Sequence, residues 1–147
     1  MPDVFTIAKR SEVMAAIRSR GNKETEMEAI RILRIHRING WRRGIKINIR
    51  HPNQKRIVTI RPDFVFRTLK IAVFIDGEFW HGHPTKARIP KTRTEWWTKK
   101  IEGNRARDRL QNRLLRDRGW IVVRIWQFEL KTPIIFRKLG KAGLSIK

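Results

Sequence analysis

Residues 60–83 read IRPDFVFRTLKIAVFIDGEFWHGH, and the fold turns on how this stretch divides. Arg56–Phe66 has strand character with Pro62 inside it, which predicts a bend or an edge there. Thr68–Lys70 makes a tight connection, and Ile71–Ile75 is continuously apolar, the pattern of a strand covered on both faces. The glycines at 77 and 82 then open a loop that runs to about Thr94 with Pro84 and Pro90 in it. Loops this long in a compact domain are commonly functional. If the two strands pair, Asp63 and Asp76 approach one another at one edge of a sheet. Two carboxylates so placed repel unless a cation lies between them, and oxygen ligands suit Mg²⁺.

Each acid taken singly has an ordinary reading, Pro62-Asp63 as a turn and Asp76-Gly77 as a strand end. Their company argues for chemistry. His81 follows Asp76 within the glycine-flanked loop, and an imidazole there can accept a proton near neutral pH, as attack of water on a phosphodiester requires. His83 is read as a phosphate contact or a surface residue, while His36 and His51 have no acidic neighbours to recruit them. Phe79-Trp80 places two large aromatics in the same loop, either to pack inward or to stack on bases. Trp96-Trp97 repeats the pairing among Lys91, Arg93, Lys99 and Lys100.

Working outward, residues 1–10 show no period and are expected to form an arm, with a short helix over 11–18. A helix is predicted from Lys23 to Ile38, with Met27, Ile30, Leu33 and Ile38 toward a core, Asn22 or Thr25 as its cap, and Thr25-x-x-Glu28 fitting a capping box. Its early glutamates also suit the helix dipole. Trp41–Ile49 alternates weakly and reads as one half-buried strand, followed by a turn at HPNQK. A basic helix is predicted over Glu95–Arg118, with Ile101, Ala106, Leu110 and Leu114 on its buried face, a possible kink at Gly103 and a C-cap at Gly119. Trp120–Trp126 is another strand, and residues 131–147 form a basic tail with a short helix in it. The order predicts a single α/β domain over 1–147 with one central sheet flanked by helices.

The 35 Lys and Arg against 13 Asp and Glu give a net charge of +22 over 147 residues. Self-repulsion on that scale points to a polyanionic partner, and the arginine content suits bidentate phosphate contact. With no cysteine there are no disulfides and no thiolate metal sites. No apolar run reaches membrane-spanning length, so an intracellular, DNA-associated protein with no membrane partner is expected.

The runs FIDGEFWHGH (74–83), IPKTRTEWWTKKIEGNRARDRL (89–110) and RGWIVVRIWQFEL (118–130) resemble the very short patch repair (Vsr) endonucleases. The likeness extends roughly from Met14 to Leu130. It implies a restriction-endonuclease-like fold and Mg²⁺-dependent cleavage of double-stranded DNA, with one or two ions. By position it implies that Asp63 and the main-chain carbonyl of Ile75 hold metal, that His81 activates water, and that Asp108 orients it. Glu26, or Glu24, matches the helix-start glutamate, and Phe79, Trp80 and Trp97 match aromatics that enter the duplex. Arg93, Lys99, Lys100, Arg105 and Arg109 are expected along the phosphates.

Two departures bear on specificity. Glu78, Thr85 and Phe128 stand where the family has zinc-binding cysteines, so no structural zinc is expected and His83 loses its partners. Asp76 replaces a histidine beside the metal, a change similar to the related homing-endonuclease branch. Mismatch repair and homing are the two roles that the resemblance offers. The alternative of another class is a non-catalytic DNA-binding module that keeps the fold.

Overall fold

The computed structural model describes residues 23–78, 80–86 and 88–146; the arm over 1–10, the helix over 11–18 and Asn22 lie outside them. A helix over 23–35 (α1) leads to Trp41–Arg42 (β1), Ile47–Arg50 (β2), Ile57–Ile60 (β3), Phe64–Phe66 (β4) and Ile71–Asp76 (β5). Thr94–Asp117 (α2), Ile121–Trp126 (β6), a 3₁₀ turn at Gln127–Lys131 and Ile134–Lys141 (α3) complete the chain. The central sheet has the order β1-β4-β5-β6, antiparallel except for the parallel β5–β6 pair, and β2–β3 form a hairpin sheet of their own. This is the mixed α/β arrangement expected of a Vsr-like, restriction-endonuclease-type fold.

β5 is the axis because both of its faces are used. Ile71 and Val73 face a core shared with Ile30 and Leu33 of α1, Phe64 of β4 and Leu139 of α3. Ala72 and Phe74 face a second core with Ile60 of the hairpin and Leu114 and Leu115 of α2. The period-2 pleat thus separates two apolar clusters across one strand.

Three local expectations change. The single strand over Trp41–Ile49 is two: Gly44 turns the chain at φ +70, so β1 joins the central sheet while β2 joins β3. The first helix stops at 35, because Arg37 takes the left-handed conformation (φ 54) and the Ile38 N–H bonds back to the Leu33 carbonyl at 2.9 Å. Thr25 is inside that helix, with Glu28 bonded to Arg31 at 2.9 Å rather than closing a capping box, and Met27 is 56% exposed. The basic tail contains the short helix expected there, and its Ile135, Leu139 and Leu144 belong to the core.

α2 runs unbroken through Gly103, and its buried residues are Trp97, Ile101, Asn104, Leu114 and Leu115, whereas Ala106 is exposed. The expected C-cap holds: Gly119 has φ +83, its N–H bonds the Arg116 carbonyl at 3.0 Å, and the Trp120 N–H bonds that of Leu115 at 3.0 Å. Two glycine-to-alanine changes should therefore have opposite signs. A Cβ at Gly103 meets nothing within 4 Å, so Gly103→Ala should add about 0.5–1 kcal/mol through helix propensity. Gly119→Ala should cost about 1–2 kcal/mol for an alanine held at positive φ. Urea midpoints at constant slope read both.

Candidate active site

Asp63 precedes β4 and is tied to β5 twice. Its N–H donates to the Val73 carbonyl at 2.9 Å, and its Oδ2 accepts the Ile75 N–H at 2.7 Å. The other oxygen accepts no hydrogen bond among the described residues. Burial pushes the Asp63 carboxyl up to about 6; the Ile75 N–H opposes this, while the carboxylates of Glu26 and Asp76 add to it and Arg124 subtracts.

Asp76 closes β5 and is 6% exposed. Burial raises its pKa, against the pull of Arg124 and His81. Arg124 stands across the parallel pair, in register with Phe74, and reaches Asp76 with Nη1 at 3.1 and 3.4 Å from the two oxygens. The same Nη1 is 3.5 Å from Asp108 Oδ1, Nε donates to Asn112 at 3.0 Å, and the guanidinium lies 3.9 Å above the Phe74 ring. One cation thus serves two acids.

Asp108 projects from α2 and takes His81 Nδ1 at 2.5 Å. With the Nδ1 proton committed to that carboxylate, the neutral imidazole has its lone pair on Nε2. Nε2 is 3.7 Å from Asp76 Oδ1. Asp76, His81 and Asp108 form a histidine–carboxylate cluster whose ligand atoms lie within 4.8 Å of one another, a group that fits a divalent-metal nuclease.

The loop that carries His81 is pinned to α2. Asn104 donates to the Trp80 carbonyl at 2.9 Å, and the His81 N–H bonds the Gly77 carbonyl at 3.1 Å. Gly82 is obligatory here: at φ +63 its hypothetical Cβ would lie 2.7 Å from Ile101 and 2.8 Å from Arg105. Removing that hydrogen-sized clearance would lift the loop from the helix that holds Asp108.

Asp63, Ile75, Asp76, Trp80, His81 and Asp108 all line one cleft of about 600 Å³. Glu26 does not line it; its carboxylate bonds Arg43 at 2.6 Å, although its field reaches Asp63. Trp97 is 5% exposed, packed against Trp80 and Trp96, so the accessible ring of that pair is Trp96 at 42%. Phe79 lies outside the described residues. Lys99, Lys100, Arg105 and Arg109 are exposed along α2, and Arg93 sits 5.6 Å from the Trp96 ring in a left-handed turn at φ 57.

His83 is not stranded. Its ring packs on Trp126 and Phe128 at 4.7 and 5.4 Å, and Nδ1 accepts the N–H groups of Thr85 and Lys86 at 3.2 and 3.1 Å. Glu78 accepts the Phe128 N–H at 2.9 Å. Phe128 offers no ligand atom and Nδ1 of His83 is already engaged, so the set does not fit tetrahedral zinc.

The residues that the sequence reading missed are Arg124, Arg107, Asn104 and Gln111, all of which line the cleft. Arg124 carried a signal, an arginine inside the apolar run WIVVRIW, because a guanidinium in a buried strand needs an acidic partner.

Comparison with known proteins gives a consistent result. Residues 2–87 match the family model described as DNA mismatch endonuclease Vsr. A type II nicking enzyme of Neisseria meningitidis serogroup A, V.NmeAIP, is 38% identical over 149 residues, covering 100% of this chain and 98% of the relative. V.XorIIP of Xanthomonas oryzae, also a type II nicking enzyme, is 34% identical across 88% of each chain. The DNA mismatch endonuclease Vsr of Escherichia coli is 40% identical over 72 residues, 48% of this chain and 46% of that one.

The raised pKa of Asp63 has a testable sign. A carboxyl whose folded pKa lies above its ordinary value near 4 stabilises the fold below that value, and this contribution is lost as pH rises through about 6. In EDTA at pH 7.5, Asp63→Asn should therefore be more stable than the wild type by roughly 2–3 kcal/mol. The gain should shrink toward pH 4. Calorimetric melting at the two pH values measures it, and an equal gain at both would refute burial as the cause.

Proposed function

This chain belongs to the Vsr family of DNA endonucleases, and from that membership we propose that it hydrolyses a phosphodiester bond of duplex DNA with Mg²⁺ in this cleft. The observation that carries the reading is a half-buried Asp63, one oxygen of which accepts no hydrogen bond among the described residues, in the same cleft as a histidine that Asp108 orients. Asp63, Asp76 and Asp108 crowd three carboxylates against Arg124, and an uncompensated charge of this kind fits a hard divalent cation. Asp63, Asp76 and the Ile75 carbonyl would hold it. When bound, Mg²⁺ supplies Lewis-acid polarisation of the scissile phosphate and stabilises the departing oxygen.

The chain's own groups supply the rest. His81 takes the proton from the attacking water at Nε2, and Asp108 holds the ring in the tautomer that makes Nε2 basic. Arg124 is a positioning residue that fixes Asp76 and opposes the burial that raises its pKa. Glu26 acts at a distance, through its field at Asp63 or through water. Trp80, with Trp96 and Trp97 behind and beside it, forms the aromatic wall against which the duplex distorts. Arg93, Lys99, Lys100, Arg105 and Arg109, together with Arg107 at the cleft, bind the phosphates. One cleft acts on one strand, so the first product is a nick, as the relatives' names suggest for them. The whole of 1–147 works as a single unit.

Supercoiled plasmid should be nicked with Mg²⁺ and left intact with EDTA. Asp63→Ala should abolish the product, and His81→Ala should lower the rate by roughly 10²–10⁴-fold. Binding should weaken steeply with salt, since several lysines and arginines displace counterions. Binding with no cleavage on plasmid, randomised duplexes and mismatched duplexes would leave a DNA-binding module and sink the enzyme.

A further inference from the structure

The β2–β3 hairpin is joined to no strand of the central sheet, yet it is not loosely held. Its inward residues include Ile49, Val58 and Ile60, which enter the core beneath β5 and α2. Its outward residues are Asn48 and Arg50 on β2 and Ile57 and Thr59 on β3. Asn48 lies opposite Thr59, and Arg50 opposite Ile57. The Thr59 hydroxyl donates to Asn48 Oδ1 at 2.8 Å, which leaves the Asn48 amide NH₂ as an outward donor. Ile57 is 66% exposed, and no ion pair among the described residues engages Arg50.

Three facts give this face an occupant. Thr59, and Arg61 just beyond β3, line the cleft, so the outer face of the ribbon runs directly into the candidate active site. Residues 41–62 carry seven cations (Arg42, Arg43, Lys46, Arg50, Lys55, Arg56 and Arg61) and not one acid, which matches a polyanion. The outward set is also of mixed chemistry. A surface that only tracked phosphates would need lysine and arginine alone, whereas an amide donor, a guanidinium fork, a hydroxyl and an aliphatic side chain are what base edges distinguish. Asparagine and arginine make paired hydrogen bonds to purines, and an aliphatic group meets the thymine methyl. A two-stranded ribbon is narrow enough to enter the major groove.

We propose that the outward face of the β2–β3 hairpin enters the major groove beside the scissile phosphate and reads base identity through Asn48, Arg50, Ile57 and Thr59. The proposal rests on the reading of the cleft as a duplex-DNA site. It makes target choice a property of the ribbon, separate from the cleaving groups.

The test selects bound duplexes from a randomised pool with the full-length protein in EDTA, so that no cleavage is needed. Wild type should enrich a defined sequence. Asn48→Ala, Ile57→Ala and Arg50→Lys leave the charge unchanged, and their outward positions leave the core intact, which an unchanged melting temperature checks. Each should relax preference at one or two positions, with discrimination falling roughly five- to hundredfold there, while affinity for the unselected pool changes little. Lys55→Ala with Arg56→Ala, in the turn, should instead weaken binding to all sequences alike and flatten the salt dependence. Absence of any enriched sequence, or the same sequence enriched by wild type and all three variants, overturns the proposal. A preference that shifts without plasmid nicking by the wild type would leave the ribbon's role standing and remove only the nuclease. Nicking with an unshifted preference would do the reverse.

Discussion

Crowded negative charge at the end of β5 is the constraint on which the site depends. Asp76 is almost fully buried, Asp63 is pushed up to about 6, and Asp108 comes in from α2. Left alone, three carboxylates in a low-dielectric wall would protonate or drive the strands apart. The chain answers with groups from three elements: the Ile75 N–H on Asp63, Arg124 between Asp76 and Asp108, and His81 on Asp108. Arg124 can do this only because β6 runs parallel to β5 with Phe74 in register with residue 124. A parallel neighbour requires a crossover, and here the crossover is the loop and α2 that deliver His81 and Asp108. The topology and the charge balance are therefore one solution, not two.

Much of this was legible because strands and glycines leave strong marks. Ile71–Ile75 announced a two-faced strand, Pro62 announced the break before Asp63, and Gly119 announced the end of α2. The failures have a common cause. The apolar stripe of α2 holds at Ile101, Leu110 and Leu114, but between them the helix turns Asn104, Arg107, Asp108 and Gln111 to the cleft. A polar cleft replaces the apolar residues on which periodicity relies, which is why a stripe drawn through Ala106 meets an exposed residue. Likewise, alternation over Trp41–Ile49 carried no information that β1 and β2 belong to different sheets; that depends on Gly44.

His83 shows a similar limit. Viewed along the sequence it had lost its metal partners, since Glu78, Thr85 and Phe128 supply no thiolate. In space, the same four residues still meet. An aromatic pair, two main-chain donors on one imidazole nitrogen and a carboxylate capping the Phe128 N–H tie the loop to the end of β6. Ordinary hydrogen bonds and ring packing thus bind the two segments together, in the same loop whose His81 bonds Asp108 of α2.

Rigidity also links the hairpin to the cleft. Ile60 is fully buried, and it shares a core with Ala72 and Phe74 of β5 and Leu115 of α2. Phe74 is the ring on which the Arg124 guanidinium lies, and Arg124 in turn holds Asp76. A displacement of the ribbon would have to pass through this close-packed cluster, which resists deformation. The outer face of the hairpin and the carboxylates are consequently held in one frame, with Thr59 belonging to both. A surface that must be registered against a single phosphate gains most from such an attachment, because a shift of an ångström at either end would separate recognition from chemistry.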